Sequence, residues 1–240
     1  MCTLEKRGYL FVLSLTGSDI QHRLNPTLIS SFRSALSQVK AQATPGSALV
    51  TISEGKFFSN GFDLSWAQAA GSRQGAAQRL HHMVDSFKPL VADLMSLPLP
   101  TIAAVSGHAA AAGFLLALSH DYVFMIRDRA VLYMSEIDIG LTLPDYFVAM
   151  MRAKIRSPSV LRDVLLSGTK IKGKEAASLG IVESAQDNVE STVEAAMGMG
   201  EKLASRKWDG EVYAEMRKGL YPELIAILGL ETKAIATPKL

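Results

Sequence analysis

Two stretches of small side chains are the places where this sequence brings a reacting group closest to bare backbone. Residues 101–121, TIAAVSGHAAAAGFLLALSHD, run from an apolar segment through Ser106-Gly107 and four alanines to Gly113, and then into the apolar residues 114–118. Residues 57–64, FFSNGFDL, form a second loop of similar character. Small side chains at a helix start let a ligand approach the backbone, and the unpaired N–H groups there sit at the positive end of the helix dipole. Such groups stabilise an oxygen that becomes negative during a reaction. Taken alone, residues 101–121 read first as a tightly packed strand-to-helix corner, and it is the second loop that tilts the reading toward chemistry.

Other chemistries lack their residues. His22, His81, His82, His108 and His120 show no His-x-x-x-His spacing with a nearby glutamate, so no metal site is expected. Gly-x-x-x-x-Gly-Lys-Ser/Thr is absent, and Ser106-Gly107 lacks the first glycine of a Gly-x-Ser-x-Gly elbow. These absences remove the commonest nucleotide-hydrolysing and serine-hydrolase readings.

The elements that must carry the two loops follow from the apolar pattern. Residues 9–15 and 48–53 read as strands around a helix whose apolar face is Leu28, Ile29, Phe32, Ala35, Leu36 and Val39, with Asn25 as cap and Pro26 at its first position. Strand, helix, strand in this order implies a parallel crossover. Residues 66–75 read as a helical turn and a mobile loop. Leu80, Met83, Val84, Phe87, Leu90, Val91 and Leu94 form a long helix face that ends at Leu97-Pro98-Leu99-Pro100. Strands are expected at 101–105, 122–126 and 131–134, and residues 135–143 lead into a helix near Pro144. From about residue 157 the pattern is mostly helical, over 160–167, 173–179, 189–207 and 211–228. Repeated strand–helix units followed by helices argue for an α/β core over residues 1–200 with a C-terminal helical region over 201–240.

Length and composition allow one large domain with a full core: 240 residues, 48% hydrophobic and 20% charged. A net charge of +2 and no basic run interleaved with aromatics make nucleic acid an unexpected partner. Cys2, the single cysteine, excludes a disulfide framework and suits a reducing compartment. The first residues do not read as a basic, apolar, small-residue leader, so secretion is not expected. Residues 102–118 are interrupted by Ser106, Gly107 and His108 and fall short of the roughly 20 apolar residues of a membrane span, so no stable membrane anchor is expected.

In order and spacing, several motifs resemble those of the crotonase, or enoyl-CoA hydratase/isomerase, superfamily. They are Leu24-Asn25-Pro26, Phe58-Ser59-Asn60-Gly61-Phe62-Asp63-Leu64, residues 100–107 (PTIAAVSG), Glu136-Ile137-Asp138-Ile139-Gly140-Leu141, Leu165-Leu166-Ser167-Gly168 and residues 176–182 (AASLGIV). The likeness spans about residues 8–207 and is greatest to the plant peroxisomal Δ3,Δ2-enoyl-CoA isomerase branch. It implies a crotonase-like fold of repeated ββα units with a C-terminal helical region, and an acyl-CoA substrate. It also implies a trimer or hexamer, assembled partly through the C-terminal helices, although the helices after Trp208 have the alternative of folding back on their own core. In such proteins two backbone N–H groups grip the thioester oxygen, and the matching positions are Phe62 and Ala112.

Two glutamates serve water addition in the hydratase branch; the first position falls on Leu115, which transfers no proton, and the second on Glu136. Without the resemblance Glu136 would read as an ordinary solvated carboxylate near a strand end. One carboxylate suits the shift of a double bond, which uses a single base twice, better than it suits hydration. The expected reaction is therefore 3-enoyl-CoA to trans-2-enoyl-CoA in fatty acid β-oxidation, with Glu136, Phe62 and Ala112 catalytic. Ser59, Asn60, Gly61, Asp63, Leu64 and Leu115 are the further expected substrate-binding residues, Leu115 as part of an apolar wall. No cofactor is expected, coenzyme A being part of the substrate. The alternatives are a dienoyl-CoA isomerase, for which Asp145 would supply an extra acid, a thioester hydrolase, or a non-catalytic acyl-CoA-binding scaffold. Asp138 reads as a surface or pocket-lining acid, and Arg23 and Lys56 as solvated cations or partners of CoA phosphates. Pro238-Lys239-Leu240 resembles the Ser-Lys-Leu peroxisomal signal with proline at its first place, which implies a peroxisomal location and an import receptor as partner.

Overall fold

The computed structural model describes residues 1–234, so the terminal tripeptide 238–240 lies outside the described residues. The chain opens with a hairpin, β1 (Cys2–Arg7) antiparallel to β2 (Leu10–Leu15), followed by helix α1 (Pro26–Gln42). Three units of one plan come next, each a strand, a short second strand and helix: β3 (Ala48–Ser53), β4 (Phe57–Ser59), α2 (Leu64–Gln68) and α3 (Arg73–Met95); β5 (Thr101–Val105), β6 (His108–Ala110) and α4 (Ala112–Leu118); β7 (Tyr122–Ile126), β8 (Val131–Tyr133) and α5 (Asp145–Lys154). The remainder is α6 (Pro158–Leu166), β9 (Ile171–Lys172), α7 (Gly173–Ser178), β10 (Ser184–Gln186), α8 (Val189–Ala204), α9 (Gly210–Leu220) and α10 (Pro222–Ile227).

The first strand of each unit joins a six-stranded sheet ordered β1-β2-β3-β5-β7-β10, and the second joins a four-stranded sheet ordered β4-β6-β8-β9. The parallel pairing of β4 with β6 and of β6 with β8 sets their carboxyl ends side by side. In the large sheet the side chains alternate between two cores, as the two-residue period of a strand requires. Leu10, Val50, Ile102 and Ala104 meet Ala196, Leu203 and Ala204 of α8 on one face. Phe11, Leu13, Leu49, Ala103 and Val105 join Phe32, Phe87 and Phe114 of α1, α3 and α4 on the other.

The expected crossover is present, since β2 pairs in parallel with β3 across α1, which Asn25 caps by accepting the Leu28 N–H at 2.9 Å. The structure departs from the pattern in the short strands. β1 is an edge strand with mostly exposed side chains, and β4, β6, β9 and β10 are three residues or fewer, too short to show a period. Residues 66–75 divide between the end of α2 and the start of α3, which Ser72 caps through the Gly75 N–H. The helical stretch 211–228 is two helices, because Pro222 starts a new one.

The last helices fold back on their own chain. Arg217 of α9, 3% exposed, donates from Nε to Asp121 Oδ1 and from Nη2 to Oδ2, both at 2.6 Å, and from Nη1 to the Leu97 carbonyl at 2.7 Å. Thr101 N–H also donates to Asp121 Oδ2. This buried fork pins α9 against the strand start and helix end that frame the second unit.

Candidate active site

Phe62, Ala112 and Glu136 occupy similar places in the three units: each follows the short strand, Phe62 and Glu136 just before the next helix or helical turn and Ala112 at the first position of α4. Since β4, β6 and β8 are parallel neighbours, the junctions open on the same side, where ligands meet parallel sheets. There Asn60, Phe62, Leu64, Ala111 and Glu136 line one cavity of about 350 Å³, closed further by Leu80, His81 and Val84 of α3, Ile139, residues 141–144 and Phe147 of α5.

The first loop is laced to the segment before α1. Ser59 Oγ donates to the His22 carbonyl at 2.7 Å, the His22 ring meets the Phe57 carbonyl through Nδ1 at 2.9 Å, and Asn60 N–H donates to the Gln21 carbonyl at 2.9 Å. Leu24 and Phe62 form a parallel bridge in which Leu24 N–H donates to the Gly61 carbonyl at 2.8 Å and Asp63 N–H to the Leu24 carbonyl at 3.2 Å. A residue so bracketed turns its own N–H away from its partner. The Phe62 N–H therefore faces away from Leu24.

The second loop turns at Ala111, whose φ of 51° and ψ of −124° are rare for a residue with a side chain. Its ψ orients the peptide that carries the Ala112 N–H, the first of α4 and so without an acceptor inside the helix. The two loops touch through glycines. A Cβ on Gly61, which has φ +73°, would stand 3.4 Å from Ala112 N and 3.0 Å from the Ala110 carbonyl, and one on Gly113 would stand 2.2 Å from the Ser59 carbonyl. Side chains at either position would force the loops apart and cover the helix start.

Glu136 opens a 3-10 turn, Ile137–Ile139, that its own carbonyl closes by accepting N–H groups from Ile139 at 3.2 Å and Leu141 at 2.9 Å. Its Oε2 is enclosed and has no hydrogen-bond partner among the described residues. Burial pushes the carboxyl up from its ordinary value, against a smaller opposing pull from the N–H groups of Glu136 and Ser135. An orphaned, raised carboxyl at the wall of an apolar cavity is suited to proton transfer.

The other expected residues divide. Asn60 and Leu64 line the cavity, whereas Ser59 and Gly61 lie behind it as supports. Asp63 caps α2. Its burial would raise its pKa, but hydrogen bonds from Ser65, Trp66 N–H and Asn25, with Arg23 nearby, outweigh that and hold it low. Leu115 does not form the apolar wall: it is buried in the core, and the wall comes instead from Leu64, Leu80, Val84, Ile139, Leu141, Leu143 and Phe147. Asp138 and Asp145 are exposed and stand outside the lining, Asp145 accepting the Tyr146 N–H at 2.7 Å. Arg23 pairs with Asp19 at 3.7 Å.

Ala111, His81 and the α3 and α5 wall carry no signal of their own in the sequence. Leu80 and Val84 belong to a helical stripe, and residues that face a substrate cavity share the period of residues that face the core. The unusual backbone of Ala111 leaves no mark in the sequence at all.

Enoyl-CoA delta isomerase 2, peroxisomal, of Arabidopsis thaliana is 64% identical over 241 residues, covering 100% of both chains. Enoyl-CoA delta isomerase 1, peroxisomal, of the same plant is 50% identical over 227 residues, 94% of this chain and 91% of its own. Among solved structures, an apo enoyl-CoA isomerase of Mycobacterium tuberculosis has a TM-score of 0.83 at 20% identity, over 95% of this chain and 94% of that one. An enoyl-CoA hydratase/isomerase family protein of Pseudomonas syringae has a TM-score of 0.81 at 22% identity, over 95% of each chain. At such identities the likeness shows the fold alone. The sequence profile of the enoyl-CoA hydratase/isomerase family matches residues 10–236, and the chain belongs to that family.

Proposed function

We propose that this chain is a peroxisomal Δ3,Δ2-enoyl-CoA isomerase of fatty acid β-oxidation, converting 3-enoyl-CoA to trans-2-enoyl-CoA with Glu136 as the only proton carrier. The observation that carries the mechanism is the enclosed, unpartnered Oε2 of Glu136 beside a loop pair able to offer two N–H groups. The Glu136 carboxylate takes a proton from C2, and the C–H electron pair spreads over C2 and the thioester oxygen as a dienolate. The Phe62 and Ala112 N–H groups meet that oxygen as its charge grows. The carboxylic acid then returns the proton at C4, the former C3=C4 pair forms the new C4–H bond, and C2=C3 is left as the double bond. Only protons and π electrons move within one molecule, so the reaction calls for no metal or redox cofactor. The half-buried apolar wall excludes water.

Exposed Val212, Met216 and Leu220, at i, i+4 and i+8 on α9, support assembly of copies of this chain. The terminal Pro238-Lys239-Leu240 is proposed as the address read by an import receptor. The deciding experiment is isomerisation of 3-hexenoyl-CoA by wild type and Glu136→Gln. The variant should keep the fold and lose about 10²- to 10⁴-fold in kcat; turnover close to wild type would remove Glu136 from the mechanism.

A further inference from the structure

The cavity is walled unevenly. On one side lies an irregular segment, with Ile139 52% and Leu141 38% exposed. On the other, aromatic rings back one another. Phe62 meets Phe87 edge-on at 5.6 Å between centroids and lies 6.1 Å from Phe147. Phe147 in turn meets Phe87 at 6.2 Å and Tyr146 at 4.9 Å, both edge-on. Phe62 and Phe147 line the cavity, while Phe87 and Tyr146 stand behind them, buried. The Tyr146 hydroxyl donates to the Val84 carbonyl at 2.8 Å, tying α5 to α3 at a residue whose side chain lines the adjoining wall. Rings held in this way have no space to retreat into, because interiors are close-packed.

We propose that Phe147, backed by Phe87 and Tyr146, closes the inner end of the acyl channel and sets the chain length the site accepts. The proposal rests on the isomerase reading. With the thioester oxygen at the Phe62 N–H, the acyl chain begins beside the residue whose ring forms part of this floor, and carbons past C4 run along the apolar lining toward Phe147. At about 350 Å³ the cavity is near the small end of ligand sites. A short acyl tail fits beneath the rim, whereas a longer one bends out past Leu64, Ile139 and Leu141 and gives up burial. A methylene that gains or loses its place in such a pocket changes kcat/KM by roughly 10- to 200-fold.

The test measures kcat/KM for 3-hexenoyl-CoA and 3-decenoyl-CoA with wild type, Phe147→Ala and Phe147→Leu. The decenoyl-to-hexenoyl ratio within each enzyme cancels any loss of folded protein. Wild type should favour hexenoyl, and Phe147→Ala should raise the ratio at least about tenfold, mainly through KM, with a smaller rise for Phe147→Leu. An unchanged ratio in folded Phe147→Ala overturns the proposal; if that variant does not fold, an unchanged ratio in Phe147→Leu does so. A wild type that turns over neither substrate overturns the isomerase reading instead. The same proteins are then titrated with hexanoyl-CoA and decanoyl-CoA, and their Kd ratio must move in the same direction or the proposal falls.

Discussion

One methyl group added at Gly113 tests whether the contact between the two loops sets the oxyanion site. A Cβ there would lie 2.2 Å from the Ser59 carbonyl oxygen and 2.7 Å from its carbon, where ordinary contact begins at 3.4 Å. Ser59 cannot step aside easily: it is fully buried, and its Oγ, with the backbone on either side of it, is bonded to residues 21–24. The loops must part by roughly 1 Å, a misplacement that can cost about a hundredfold in rate. Losing one oxyanion donor costs about 10²- to 10³-fold by itself. Gly113→Ala should therefore lower kcat for 3-hexenoyl-CoA by about a hundredfold or more and destabilise the fold by about 1–3 kcal/mol through overpacking. The assay is initial-rate isomerisation at a temperature where circular dichroism shows the variant folded. Gly198→Ala is the control, since nothing lies within 4 Å of its Cβ; on helix α8 it should keep full activity and gain about 0.5–1 kcal/mol. A kcat near wild type in folded Gly113→Ala would refute the claim that this contact positions the donors.

Glu136 acts as a carboxylate, so kcat/KM should rise with pH through a pKa above the ordinary carboxyl value, and an acid limb at 4.5 would contradict the burial argument. Stability moves the other way. The native state holds that proton more tightly than the unfolded chain, so the contribution is full below 4.5 and is lost as pH climbs through the raised folded value. Glu136→Gln should therefore melt higher than wild type at neutral pH, with the gap closing in acid. His120, whose pKa burial lowers to about 4, sits between Thr51 Oγ1 at 2.8 Å and the Leu116 carbonyl at 3.0 Å. Its contribution is present above 6.5 and lost as pH falls toward about 4. Urea titrations at pH 7 and pH 4 should show His120→Gln losing less stability across that window than wild type, by roughly 3 kcal/mol. Arg217→Met removes the ion-pair partner of the largely buried Asp121 and should cost about 3–5 kcal/mol in urea unfolding, part of it recovered by adding Asp121→Asn.

Much of the architecture was legible from periodicity. Residues 28–39 and 80–94 have one-sided apolar stripes long enough to be read, and residues 48–53 and 101–105 are apolar runs between turn residues. The short strand β8 was read at 131–134, but β4 and β6 were not legible, and the parallel pairing of all three is what sets Phe62, Ala112 and Glu136 on one side of the molecule. Three residues show no period, and their pairing is decided by neighbours distant in the chain. The Leu115 assignment failed as a wall residue for a related reason: a short helix whose residues are all buried gives no sign of which of them face a cavity.

The sequence by itself determined the order of the longer strands and helices, the family motifs and the single carboxylate at position 136, because these depend on side-chain type and spacing along the chain. Only the tertiary structure decided that a positive φ at Ala111 turns the peptide ahead of α4, that the Leu24 bridge turns the Phe62 N–H outward, and that Glu136 Oε2 is enclosed without a partner. The physical reason is that the proposed oxyanion donors are backbone groups. Every residue except proline carries one, so its direction and exposure come from dihedral angles and packing and not from the identity of the residue.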